Sequence, residues 1–204
     1  MKIVTKAFWK SFELDVFDSV YDPSEDSFLL ADNLLRMKNK SFLDVGCGSG
    51  IQSISAASKG ASTITLIDVN QIALQNAQQN LKKYFPAIPV KSIQSNLFEK
   101  MKKEKFDVIA FNPPYVPSEG KPDVRLDGGK TGRDVLDLFL EQADRFLNEK
   151  GVIFFLQSSV NGEKQTVRKW GKKFKLQKVV EQTIFFEKLS VWKASPKNGL
   201  SFKN

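Results

Sequence analysis

Histidine is absent from all 204 residues, and cysteine occurs once, at Cys47. The first absence excludes a Ser-His-Asp triad and any histidine metal site. Together they exclude a zinc site built from Cys and His, so no metal site is expected, and a lone cysteine excludes an internal disulfide. Catalysis must rest on positioning, carboxylates or tyrosine. Cys47 lies inside a glycine-rich run and reads as a small apolar residue, not a reactive one. Long apolar runs are missing too. None approaches the roughly 20 residues that span a bilayer, and Met1-Lys2-Ile3-Val4-Thr5-Lys6 is not followed by a signal-peptide apolar core. The expectation is a cytoplasmic protein with no membrane partner. Negative charge is scarce in the last quarter: 12 Lys/Arg against 3 Asp/Glu from Lys150 to Asn204, while the first 149 residues are close to neutral. Such a segment fits a nucleic-acid or ribosome-associated partner, or a solvated lysine-rich helix face over Lys164–Lys175.

What is present is an alternation of strand and helix signals. Strand-like runs occur at 41–45, 63–67, 88–93, 106–111 and 152–156. Helical patterns begin at Pro23-Ser24-Glu25-Asp26 and cover 51–58, 71–83, 132–148 and 162–173. Two last strands fall near 175–180 and 184–193, joined by a short turn and therefore antiparallel. The pattern predicts an α/β fold with a doubly wound, mostly parallel sheet. Residues 1–204 read as a single domain, with 1–23 a short-strand or irregular extension whose Phe8, Trp9, Phe12 and Phe17 pack onto it.

Two motifs carry chemistry. The strand Ser41–Val45 runs into Gly46-Cys47-Gly48-Ser49-Gly50, and a helix follows. Glycines between strand and helix let a ligand approach the backbone. The spacing is not that of the dinucleotide fingerprint, and Asp44 beside the glycines would repel a pyrophosphate. It suits a ligand with an ammonium and no phosphate, such as S-adenosylmethionine. About 20 residues on, Asp68 ends the next strand, where a carboxylate can hold two ribose hydroxyls. The competing reading of Asp68, a helix N-cap, is equally open to Asn70.

The second motif is Asn112-Pro113-Pro114-Tyr115, at the end of the strand Phe106–Phe111. Each proline fixes φ and lacks an N–H, so the turn is stiff and its carbonyls are free. With the Asn112 side-chain oxygen they form a pair of acceptors beside an aromatic face. That suits a planar –NH2 group, either of an amide or of an amino-purine.

In these segments the chain resembles the class I S-adenosylmethionine-dependent methyltransferases. More narrowly it resembles the HemK-type protein-(glutamine-N5) methyltransferases, in the short archaeal and eukaryotic branch that modifies release factors. The resemblance is carried by Tyr21-Asp22-Pro23-Ser24-Glu25-Asp26-Ser27-Phe28, by Asp44 to Gly50, by Asn112-Pro113-Pro114-Tyr115-Val116-Pro117, by Gly128-Gly129-Lys130-Thr131-Gly132-Arg133 and by Glu187-Lys188-Leu189-Ser190-Val191. It implies a Rossmann-like sheet of seven strands, the last antiparallel, with helices on both faces. It implies S-adenosyl-L-methionine as cofactor, contacted by Ser27, Asp44, Gly46, Gly48, Asp68, Asn96 and Leu97. Asn112, Pro113 and Tyr115 are the implied catalytic residues, and Pro114 and Val116 join them against the substrate. The family usually has Asp where this chain has Asn96. An amide oxygen still accepts from an adenine amino group, without the charge. The implied substrate is the glutamine of the Gly-Gly-Gln loop in a class I release factor, and an implied partner is a small zinc-binding activator protein that pairs with a sheet edge. Nucleic-acid methylation, at N6 of adenine in DNA or in rRNA or tRNA, is the alternative, since the same turn accepts a flipped adenine. Protein lysine methylation and a non-catalytic scaffold are further ones.

Overall fold

A computed structural model describes residues 2–118, 123, 125–184 and 186–197. The chain opens with a hairpin of β1 (Ile3–Trp9) and β2 (Phe12–Phe17). Its two-residue turn places Lys10 at φ 52°. Alternation then sends Leu14 and Val16 inward and leaves Phe8 at the surface. The alternating elements that follow are α1 (Glu25–Asn33), β3 (Lys40–Val45), α2 (Ile51–Ser58), β4 (Ala61–Asp68), α3 (Gln71–Tyr84), β5 (Val90–Gln94) and β6 (Phe106–Phe111). The remainder is α4 (Asp134–Gln142), β7 (Leu147–Ser158), α5 (Glu163–Trp170), β8 (Phe174–Ile184) and β9 (Glu187–Pro196).

Seven strands form one sheet in the order β5-β4-β3-β6-β7-β9-β8. Every pairing from β5 to β7 is parallel, and β9 runs antiparallel to both its neighbours. The central strands are apolar on both faces because helices cover both. Phe42, Ile64, Leu66, Val108 and Ala110 pack with α1, α2 and α3. Their sequence neighbours Leu43, Val45, Ile67, Ile109 and Phe111 pack on the opposite face with Leu136, Phe139 and Leu140 of α4 and with Trp170 of α5.

β8 runs on to Ile184, where the sequence expectation opens the last strand, so β9 starts three residues later at Glu187. Two helix ends differ as well. The helix expected over 132–148 is α4 plus a 3-10 turn, Ala143–Phe146, and Leu147 already pairs with Phe106 as the first residue of β7. Its apolar spacing continues the helical rhythm, but the free edge of β6 captures it. The basic helix expected over 162–173 is only α5, stopped at Gly171 before Phe174 enters β8.

The N-terminal hairpin is fixed by polar pegs as well as apolar contacts. Asn76 and Asn80, one turn apart on α3, are wholly buried. Their amide oxygens accept from the backbone N–H groups of Phe17 (2.8 Å) and Asp15 (3.0 Å), and their nitrogens donate to the Asp15 carbonyl. Asn80 also donates to the Ser49 carbonyl at 2.9 Å, so the same side chain ties the hairpin to the glycine loop.

Chain order places β4 on one side of β3 and β6 on the other. The crevice at such a reversal, beyond the carboxyl ends of the strands, is where open α/β sheets bind ligands. Here β3 delivers the glycine run and β6 delivers Asn112.

Candidate active site

A cavity of about 580 Å³ opens at that reversal, within the usual range for small-molecule sites. One wall is the turn after β3. Gly46, Gly48 and Gly50 have φ of 60°, 51° and 86°, a region only glycine enters cheaply. A Cβ on Gly50 would lie 2.9 Å from the Ala77 backbone, and one on Gly46 would lie 3.2 Å from the Phe111 ring. The loop is thus wedged between α3 and the end of β6. Gly48 is different: a Cβ there would meet nothing within 4 Å.

Asp68 closes this wall. Its Oδ2 accepts from the Gly48 N–H at 3.1 Å and its Oδ1 from the Asn70 N–H at 2.8 Å. The N-cap of α3 is Asn70, whose Oδ1 accepts from the Ile72 N–H. Burial pushes the Asp68 carboxyl up from its ordinary value. Asn96 and Leu97 continue the lining. Leu97 sits at φ 46° although it is not glycine, a backbone cost typical of functional sites. Asn96 donates through Nδ2 to Glu99 at 2.9 Å, which leaves its Oδ1 as an acceptor.

The opposite wall is Asn112, Pro113, Pro114, Tyr115 and Val116. Asn112 Nδ2 donates to Asp26 Oδ2 at 2.9 Å, with Ser27 Oγ at 3.3 Å. Its Oδ1 is buried and has no partner among the described residues. An orphaned buried acceptor is a standing cost, and a ligand N–H is what it suits. Burial, with the Asp26 carboxylate adding to it, pushes the Tyr115 hydroxyl far up, and the same causes take Tyr21 to about 12. Both phenols keep their protons at neutral pH, so neither serves as a base.

The glycine-rich segment before α4 holds this turn in place. Val116 N–H donates to the Leu126 carbonyl and Gly128 N–H to the Val116 carbonyl, both at 2.8 Å. Asn161 Nδ2 donates to the Tyr115 carbonyl at 2.8 Å. Arg133, 3% exposed, donates to the Asn161 carbonyl and to Thr166 Oγ1, and clasps Asp137. At Gly132, φ 69°, a Cβ would lie 2.4 Å from the Tyr115 carbonyl and 2.3 Å from Asn161 Nδ2. Gly132→Ala therefore displaces the turn. The expected result is a kcat lowered by roughly 10²-fold with cofactor affinity nearly unchanged, since a displacement of about 1 Å is enough for such a loss. Steady-state kinetics beside calorimetric titration check it.

The structure brings Ser27, Gly46, Gly48, Asp68, Asn96, Leu97, Asn112, Pro113, Pro114, Tyr115 and Val116 to one cavity. Asp44 does not join its lining. It is 1% exposed and lies a layer behind the loop, its Oδ2 accepting from Ser53 Oγ at 2.5 Å and its Oδ1 without a partner among the described residues. Burial raises its carboxyl from 3.8 to about 7. A cation against the Gly46 turn would supply the missing countercharge without touching Asp44. Cys47 is buried and its thiol is pushed well up by burial, which makes it inert.

Sequence reasoning gave no role to Asp26 or Asn161, which pin the Asn112 turn from either side. The sequence marks Asp26 only as an acidic residue at a helix start and as a member of the segment 21–28 that carries the resemblance. In the basic last quarter, Lys169 pairs with Asp137, Lys173 with Asp144, Lys178 with Glu163 and Glu181, and Lys188 with Glu181. That share of the charge fastens α5, β8 and β9 to their neighbours.

The described residues include no helix long and apolar enough to cross a membrane. The family model for the methyltransferase small domain matches residues 19–187. A Methanocaldococcus jannaschii protein with an inferred assignment as a protein N5-glutamine methyltransferase is 42% identical over 166 residues, which cover 78% of this chain and 83% of that one. Human methyltransferase HEMK2 is 32% identical over 171 residues, 74% of this chain and 78% of that one. The ribosomal protein uL3 glutamine methyltransferase of Francisella tularensis is 30% identical over 168 residues, 74% of this chain but 54% of that longer protein. In fold, the chain matches the E. cuniculi Mtq2–Trm112 complex, described as responsible for methylating the termination factor eRF1. The TM-score is 0.70 at 24% identity, over 87% of this chain and 99% of that one.

Proposed function

Because this chain belongs to the methyltransferase small domain family, in its HemK-type branch, we propose that it methylates the side-chain nitrogen of a glutamine in the Gly-Gly-Gln loop of a class I release factor. The observation that carries the reading is the buried, unpartnered Oδ1 of Asn112, beside Pro113 and Tyr115 and across the cavity from the glycine turn. S-adenosylmethionine, when bound, supplies an electrophilic methyl group.

The lining fits that cofactor. Gly46 and Gly48 let it approach the backbone, Asp68 offers carboxylate oxygens to ribose hydroxyls, and Asn96 Oδ1 and the apolar Leu97 suit an adenine. Ser27 closes the end nearest Asn112. A primary amide nitrogen is a weak nucleophile because its lone pair is delocalised. Asn112 Oδ1 and the Pro113 carbonyl accept its two N–H bonds and aim the nitrogen, while the Tyr115 ring covers the amide plane. Orientation of this kind contributes roughly 7–11 kcal/mol in favourable cases, and acceptors on the N–H bonds raise electron density on nitrogen as its proton leaves. With both phenols protonated, that proton passes to water.

The setting we infer is the cytoplasm, with 1–204 acting as one domain. A small zinc-binding activator is part of the proposal. The support is an edge strand, β5, which among the described residues pairs with β4 alone and so presents a free row of backbone groups. Tandem mass spectrometry of a release factor incubated with the enzyme and S-adenosylmethionine tests the reading. One added methyl on the Gly-Gly-Gln glutamine supports it, and an unmodified loop beside a methylated nucleic acid overturns it.

A further inference from the structure

We propose that Asp26 is a positioning residue that sets the polarity of the Asn112 amide, so that its oxygen and not its nitrogen faces the methyl acceptor. The proposal rests on the reading that Asn112 holds the acceptor's –NH2 group.

An asparagine amide has two ends of nearly equal size, and rotation by half a turn exchanges them within a broad two-fold torsional profile. Shape alone does not decide which end enters the cavity. An acceptor–NH2 group presents only donors. An Asn112 turned the other way would set donor against donor and leave both unsatisfied. A carboxylate accepts and never donates, so only Nδ2 can lie 2.9 Å from Asp26 Oδ2, and Oδ1 must then face away from it.

Asp26 is itself held. It is 3% exposed at the second position of α1. Its Oδ1 accepts from the Ser27 N–H at 2.6 Å and from Ser24 Oγ at 3.1 Å, and its Oδ2 accepts from the Tyr21 hydroxyl at 3.2 Å. The segment from Tyr21 to Ser27 is therefore a cradle for one carboxylate, and that carboxylate's remaining contact is the Asn112 amide, 86 residues away in the chain. The same device recurs at the cofactor end of the cavity, where Glu99 takes the Asn96 nitrogen and leaves its oxygen as an acceptor.

A polarity swap tests this. Asp26→Asn keeps the shape but lets position 26 donate to Asn112 Oδ1, turning the amide round. The expected result is a fall in kcat of about 10²-fold, with S-adenosylmethionine affinity and the thermal midpoint close to wild type. Asn112→Asp sets two carboxylates against each other and loses activity to a similar degree. The double variant Asp26→Asn/Asn112→Asp restores a donor at 26 and an acceptor at 112, and its kcat recovers at least about tenfold over either single variant, a coupling that independent sites do not show. A merely structural Asp26 gives no such rescue. The side-chain NH2 resonances of Asn112, assigned by their loss in Asn112→Asp, give a readout independent of any acceptor. They are shifted downfield and slow to exchange in wild type and lose both properties in Asp26→Asn. Wild-type kcat in Asp26→Asn, a double variant no better than the poorer single one, or unchanged resonances each overturn the proposal. Failure of the glutamine reading shows separately, as a wild type that leaves release factor unlabelled.

Discussion

Replacing Asn112 with alanine lowers kcat by about 10²- to 10³-fold, the usual loss when one preorganised polar contact to the reacting group is removed, while S-adenosylmethionine binding stays within a few-fold of wild type. The split follows from the geometry. Asn112 stands on the wall made by β6, and its free oxygen is the acceptor left over once Asp26 has taken the nitrogen. Apart from Ser27 on α1, the groups suited to the cofactor, Gly46, Gly48, Asp68, Asn96 and Leu97, come from the end of β4 and the turns after β3 and β5. Loss of the Asn112 side chain disturbs none of these and, on the cofactor's side, removes only the 3.3 Å contact to Ser27 Oγ, the one group there that Asn112 touches. Single-turnover transfer separates this effect from product release. Normal transfer by Asn112→Ala removes the residue from the mechanism.

Asp44→Asn raises the thermal stability of the ligand-free protein at pH 8, leaves it nearly unchanged at pH 4, and weakens cofactor binding about tenfold or more at pH 8 by removing a charge worth over 1.4 kcal/mol to the bound cation. Burial lifts the Asp44 carboxyl from 3.8 to about 7, against the opposing hydrogen bonds from Ser53. A group that holds its proton more tightly folded than unfolded favours the fold below its unfolded value. That contribution is lost as pH rises through its folded value. Ionised at pH 8, Asp44 costs up to about 4 kcal/mol by the gap between those two values. The neutral amide removes the cost and still accepts from Ser53 Oγ. In a chain of this size each kcal/mol moves the midpoint by about 2–4 °C, so scanning calorimetry at the two pH values resolves the difference. An equal change at both values contradicts the account. The charge is costly in the empty site because its countercharge arrives with the ligand, a trade of stability for function seen where sites are strained.

The frame was legible in the sequence because its strands are short apolar runs closed by turn residues. The two motifs mark the strand ends that meet at the β3–β6 reversal. Their meeting was not derivable, since nothing in the runs themselves says that β4 lies on one side of β3 and β6 on the other. Pairing also overrode local rhythm at Leu147, where the apolar spacing of α4 continues but β6 offers a ladder. Gly151 marks the irregularity, a Cβ there lying 2.8 Å from the Phe106 carbonyl. The place of Asp44 behind the cavity was legible in part. Strand alternation puts it on the same face as Phe42, under α2, and not at the strand tip. The pins that hold the Asn112 turn were illegible for a plain reason: Asp26 and Asn161 lie 86 and 49 positions away from Asn112, in segments whose own patterns signal only a helix start and a turn.

The most direct test is transfer of labelled methyl from S-adenosylmethionine to a panel of acceptors, each with and without a candidate zinc-binding activator. The panel is a class I release factor, the same factor with the Gly-Gly-Gln glutamine changed to alanine, unmodified tRNA and rRNA, and duplex DNA. Label on the intact factor and none on the altered one is the predicted result. Label confined to nucleic acid contradicts it and makes the basic last quarter the docking surface.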